Sequence, residues 1–147
     1  MYEKVLHAGW AEMDFNGHMR NTAYLDKSGD VRMMFFADHG FPSSEFSRLQ
    51  LGPVIMKDEV EYFRELKLLD TMRITLQQAG ASADGSRFMI RNEFFRADGK
   101  RSATVNSLGG WLDLRARKLI APPPELLKAM QSLGKTDDFQ ELTTSLR

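Results

Sequence analysis

The chain has 147 residues, a length that suits one domain with a single core, and its 42% hydrophobic and 27% charged content is globular rather than disordered. A formal net charge of +0 argues against a dedicated nucleic-acid binder. With no cysteine there is no disulfide framework, thiol nucleophile or thiolate metal site. No apolar run approaches membrane-spanning length, and the opening MYEKVLHAGW lacks the apolar core of a secretory leader, so the expectation is a cytoplasmic protein with no membrane partner.

Residues 3–11 read as a first strand, with Val5, Leu6, Ala8 and Trp10 as its apolar members. A polar turn follows over 12–20. Asn21 and Thr22 are good N-cap types, and no proline interrupts the next 18 residues, in which Leu25, Val31, Phe35 and Phe36 fall at helical spacings. The spacing predicts one helix over 22–39, stopped by Gly40. Gly29 inside it costs ~1 kcal/mol relative to Ala, which is explained if the helix passes very close to another backbone there.

After a loop at 41–50, strand signals dominate. Val54–Phe63, Met72–Gln77, Phe88–Phe95 and Ala103–Leu114 alternate apolar and polar residues, and Asp84-Gly85 and Asp98-Gly99 are hairpin signals. Gly109-Gly110 inside the last run predicts a bulge or a close backbone approach. Pro122-Pro123-Pro124 ends the strand, and Glu125–Leu133 reads as a short amphipathic helix. The segment 134–147 reads as a polar, loosely held tail outside a domain of residues 1–133. Strand, long helix and then four strands joined by tight turns predict an α+β domain, an antiparallel five-stranded sheet wrapped around one long helix.

The chemistry is concentrated between Trp10 and Tyr24. Asp14 lies in a turn facing the positive end of the predicted helix, where it can serve as general base or nucleophile; the ordinary structural alternative is an aspartate capping a local N–H. His18 can orient substrate or water or exchange a proton, or simply hydrogen-bond locally. Asn21 can cap the helix and offer its backbone N–H to an oxyanion; the two roles are compatible. The three histidines, at 7, 18 and 39, have no metal-ligand spacing. Ser28 has no triad partners and reads as helix packing. Glu59, Glu61, Asp26 and Asp30 read as solvated. Arg64, Arg91, Arg96, Lys100 and Arg101 lie near strand ends, where they meet either phosphates or solvent. No nucleotide-binding glycine motif occurs.

The turn Met13-Asp14-Phe15-Asn16-Gly17-His18-Met19-Arg20-Asn21, followed by Tyr24-Leu25, resembles the D-x-x-G-H-V-N-N-x-x-Y-L signature of hotdog-fold acyl-CoA thioesterases, the 4-hydroxybenzoyl-CoA thioesterase-like group. Glu61-Tyr62, Asp70 before Met72-Arg73-Ile74, and the late strand ending at Pro122-Pro123 fit the same pattern. The resemblance implies hydrolysis of a CoA thioester to free acid and CoA. It puts the catalytic acid on Asp14, the oxyanion-donating backbone N–H at or near Asn21, and the family's Gly-His on Gly17 and His18. It also implies that Gly17, Arg20 and Tyr24 meet substrate, that no metal or redox cofactor is needed, and that protomers pair into a homodimer or homotetramer. Two departures stand out: Glu12 replaces a common Asp, and Arg20 the first Asn of the usual pair. A hotdog hydratase or dehydratase resembles D-x-N-P-x-H with Asp and His five apart, whereas Asp14 and His18 are four apart and Gly17 follows Asn16. A non-catalytic acyl-binding hotdog protein is the remaining alternative.

Overall fold

The computed structural model describes residues 1–146. Its elements in chain order are β1 (Tyr2–His7), a 3-10 turn (Trp10–Glu12), α1 (Asn21–Asp38), α2 (Ser43–Leu49), β2 (Leu51–Tyr62), β3 (Thr71–Ser82), β4 (Arg87–Arg96), β5 (Arg101–Asp113), β6 (Lys118–Ile120), α3 (Pro124–Gln131) and β7 (Lys135–Leu142).

The strands form one sheet in the order β1-β3-β4-β5-β2, with β6 added to β5 and β7 to β3. All neighbours are antiparallel except β7, which runs parallel to β3. β3 has 12 residues and divides one side between two partners: Thr71–Leu76 pair with β1, and the stretch from Gln78 to Ser82 pairs with β7. Among the described residues β2 pairs with β5 alone and leaves its other side open.

The sheet curls around α1, which packs against β1, β3 and β5. The helix starts after Arg20, whose extended backbone cannot continue it backwards, and stops at Gly40, held at φ +85° where only glycine is unstrained. Ala23, Tyr24, Lys27, Ser28, Val31, Phe35 and Phe36 make its buried stripe. At the far end from the helix start, Trp111 is fully buried between Phe36, Phe46 and Phe88, with ring centroids 5.3–6.3 Å away. Burying each such side chain contributes roughly 1.5–3 kcal/mol.

Both hairpin signals hold, with Gly85 and Gly99 at φ +75° and +82° in the turns after β3 and β4. The close approach at Gly109 holds too: an added Cβ would collide with the Val54 carbonyl oxygen and lie 2.8 Å from Phe88 Cζ. β2 bulges opposite it, between Ile55 and Lys57.

Several expectations are corrected. An added Cβ at Gly29 would meet nothing within 4 Å, so that glycine marks no close approach. The loop at 41–50 contains α2, a seven-residue helix that buries Phe46. The first strand ends at His7, because Trp10 belongs to the 3-10 turn and is 82% exposed. The sheet has seven strands, five on its main path. The segment predicted as a loose tail is held as far as the described residues run: β7 lies within it, and Thr144 is clamped to Asp84 beside Ser82 and Ser86. These bonds hold the Asp84 carboxyl well below the usual carboxylate range.

Candidate active site

The turn before α1 is built by Asp14 itself. Its backbone N–H donates to the His18 carbonyl at 2.7 Å, and its carbonyl accepts from Gly17 N–H at 3.2 Å. Gly17 takes φ +80°, as the fourth position of such a turn favours. The Asp14 Oδ1 atom accepts the backbone N–H groups of Asn16 (2.9 Å) and His18 (3.1 Å). Capping is therefore real, and it uses one carboxylate oxygen. Among the described residues, Oδ2 has no hydrogen-bond partner.

Two sets of bonds pin this turn. Met13 bridges Met19, and Arg20 N–H donates to the Glu12 carbonyl at 2.8 Å. The buried Met19 gives its N–H to the Leu66 carbonyl at 2.7 Å, and His18 bridges Lys67. Behind it, Glu12 Oε1 accepts Gly9 N–H at 2.7 Å and lies 3.0 Å from Nζ of the mostly buried Lys27. The Gly9 amide, with Lys27 beside it, holds the Glu12 carboxyl below its ordinary value. Glu12 is thus the structural acid that ties the turn to α1.

At the helix mouth, Asn21 Oδ1 accepts Thr22 N–H at 3.0 Å, and Tyr62 Oη donates to the Asn21 carbonyl at 3.1 Å. The first helical N–H has no intrahelical acceptor by construction, and the first turn carries no acid to neutralise the positive end. Tyr24 packs edge-on against Tyr62 (5.3 Å) and Phe94 (5.1 Å). Ser102 donates its one hydroxyl hydrogen to the Arg64 carbonyl at 2.6 Å, so Tyr24 Oη is the donor in its 3.3 Å contact with Ser102. Burial raises the Tyr24 phenol, keeping it protonated. The His18 ring points at Glu65, with Nε2 3.2 Å from Oε2.

Asp14 stands between two clefts. One, of about 310 Å³, brings Asp14, His18, Asn21 and Tyr24 together with Tyr62 and Glu65. The other, of about 450 Å³, runs from Asp14 and Gly17 to Trp10, Met13, Phe15 and Leu68. Arg20 lines neither. Its guanidinium binds the Ala11 carbonyl and Thr22 Oγ1 and lies 3.6 Å from Asp26, tying the turn to the helix instead of facing the clefts. Tyr62 and Glu65 join the site without a sequence signal for that role: Glu61-Tyr62 fits the family's strand pattern, and nothing local marks Glu65. Among the described residues no group of three or more His, Asp or Glu side chains is arranged to hold a metal ion.

An unpartnered carboxylate oxygen beside an unneutralised helix N-terminus can attack or deprotonate at one side of a carbonyl while the helix polarises its oxygen. A curled sheet around one long helix, with this acid at the helix mouth, defines the hotdog class. The family model for the "Thioesterase-like superfamily" matches residues 8–130, and the chain belongs to that family. It is 22% identical over 138 residues to an L-carnitine dehydrogenase/betainyl-CoA thioesterase of Agrobacterium fabrum, covering 94% of this chain and 28% of that protein. The chain thus spans just over a quarter of that curated relative. Among solved structures, a hypothetical protein of Staphylococcus aureus in complex with CoA superposes with TM-score 0.82 at 21% identity, over 89% of this chain and 82% of that one. A 1,4-dihydroxy-2-naphthoyl-CoA thioesterase of Synechocystis superposes with TM-score 0.77 at 16% identity, over 90% and 96%. These similarities establish the hotdog fold. No helix among the described residues is long and apolar enough to cross a membrane.

Proposed function

We propose that the chain hydrolyses acyl-CoA thioesters, with Asp14 as the reacting carboxylate and the α1 N-terminus, at Asn21 N–H, as the oxyanion donor. The observation that carries this reading is the division of labour at Asp14: Oδ1 holds the turn, and Oδ2 is left unpartnered in the cleft that Asn21 also lines. The carbonyl oxygen of the thioester takes the Asn21 N–H, where the helix dipole stabilises developing negative charge. Oδ2 either removes a proton from water as its oxygen adds to the carbonyl carbon, or attacks that carbon itself and is released by water afterwards. In both routes the C–S bond breaks, CoA leaves as a thiolate and takes up a proton, and the acyl group departs as the carboxylic acid. His18, held by Glu65, orients the water or the leaving group. Family membership and the thioesterase relative support the same chemistry.

The working form is a homodimer or a pair of dimers. The support is β2, an open edge 12 residues long that exposes Ile55, Met56 and Tyr62, with Phe63 just beyond it.

A panel of CoA thioesters with free-thiol detection tests the activity. CoA release from at least one aromatic or aliphatic ester is expected. Absence of release from the whole panel, or water addition to an enoyl-CoA without loss of CoA, overturns the proposal.

A further inference from the structure

The two clefts that meet at Asp14 differ in chemistry. Trp10, Met13, Phe15 and Leu68 wall one of them, and Asp14 is its only charged residue. Trp10 is 82% and Phe15 100% exposed, both beside the turn that carries the acid. Large aromatic side chains left open to water at a reactive carboxylate are costly unless something covers them. The other cleft is mixed, with Tyr24, Tyr62 and Phe63 beside Asp14, His18 and Glu65, and it carries a cation in Arg64; Glu65 continues into a third cleft, where Lys67 and Arg96 stand among Asp70 and Asp98.

A thioester has two arms leaving one carbonyl carbon. With that carbon at Asp14 and its oxygen at the helix N-terminus, one arm enters each cleft. The CoA arm ends in phosphates and needs cations, and the apolar cleft has none. The acyl arm therefore takes the apolar side. We infer that Trp10, Met13, Phe15 and Leu68 form the acyl subsite, that it selects an uncharged apolar acyl group, and that the pantetheine arm leaves past Tyr62 and Glu65. Asp14 would repel an acyl group carrying its own carboxylate, so dicarboxylic thioesters are excluded from this cleft. The inference rests on the thioesterase reading for the position of the carbonyl.

The two tryptophans make the test direct. Trp111 is fully buried, so iodide quenching of tryptophan fluorescence reads Trp10. The probes are S-octyl-CoA and S-phenethyl-CoA, thioethers that cannot be hydrolysed, with free CoA as the control. Both thioethers are expected to shield Trp10 from iodide and free CoA to leave it accessible, with the signal absent from Trp10→Phe. In turnover, Trp10→Ala and Phe15→Ala should each lower kcat/KM for octanoyl- and phenylacetyl-CoA by ~10-fold while acetyl-CoA changes less than about twofold, since the short acyl group has little apolar area to bury. Equal shielding by free CoA, no shielding, or an equal loss on all three esters overturns the subsite, even where turnover shows the protein to be a thioesterase. A change of oligomeric state in Trp10→Ala or Phe15→Ala, read by light scattering, also overturns it, because the aromatic pair is then covered by a second copy of the chain. Absence of turnover by the unaltered protein on every ester removes the thioesterase reading itself.

Discussion

His18 gives its backbone N–H to Oδ1 of Asp14 at 3.1 Å, so the carboxylate is anchored through one oxygen and unencumbered at the other. Asp14→Asn separates these two duties, because the amide keeps an acceptor at Oδ1 and loses the carboxylate. Thioester turnover should fall by a factor on the order of 10²–10⁴, the range for a positioned base. The melting temperature should hardly move. Asp14→Ala should lose the same activity and also about 1 kcal/mol of stability, since two turn amides lose their acceptor. His18→Ala should be milder in rate than either. Steady-state kinetics beside thermal melts distinguish these outcomes. A fully active Asp14→Asn variant would remove Asp14 from the chemistry.

Gly109 and Gly29 make opposite forecasts for the same substitution. Gly109→Ala drives a methyl into the Val54 carbonyl and Phe88, and should cost about 1–3 kcal/mol. Gly29→Ala adds a methyl where nothing lies within 4 Å and removes backbone freedom from a helix interior. It should stabilise by up to about 1 kcal/mol. Urea unfolding of the two variants is the measurement.

Glu12 should make part of the stability depend on acid pH. Its native pKa lies below the ordinary 4.5 because the Gly9 amide and Lys27 favour the carboxylate. As pH falls, the unfolded chain takes up this proton first. The contribution is therefore complete above the ordinary value and drains away as pH drops below it and through the lowered native pKa. Glu12→Gln should be less stable than the unaltered protein near neutral pH, with the mostly buried Lys27 ammonium left unpaired, and the gap should narrow as pH falls below the ordinary carboxylate value. A gap that widens on acidification would contradict the assignment.

Pairing through β2 predicts that Ile55→Glu combined with Met56→Lys lowers the mass measured by light scattering from dimer or tetramer to monomer. A stable interface needs ~1,600 Å² of buried surface, and these two exposed side chains lie near the middle of the available edge. An unaltered protein that is monomeric and active at micromolar concentration would rule out a site that needs two chains.

What could be read in advance follows from how local each signal is. α1 was legible because 18 residues without proline end at a glycine, and Asp14, Gly17, His18 and Asn21 because one turn and the helix it opens bring them together. Tyr62 and Glu65 arrive at the same cleft from some 40 residues further on, through pairing that no local pattern encodes. β7 hid because Thr136 alone among its eight residues is buried, so KTDDFQEL carries no apolar alternation. Gly29 was misread because a missing Cβ fits both a crowded and an empty surrounding; at Gly109 the neighbouring Gly110 and the strand context pointed the right way.

The way β3 shares one side between two partners has a consequence for growth. That rim of the sheet is broken into β1 and β7, short pieces that meet at an irregularity in β3 and carry charges such as Lys4, Asp137 and Asp138. Among the described residues only β2 offers a long continuous rim. Two chains that join rim to rim along β2 turn their broken rims outward, and a third strand-wise addition finds no matching template. A pairing of that kind would close on itself after one joining, and the bare strand would then be kept from seeding filaments.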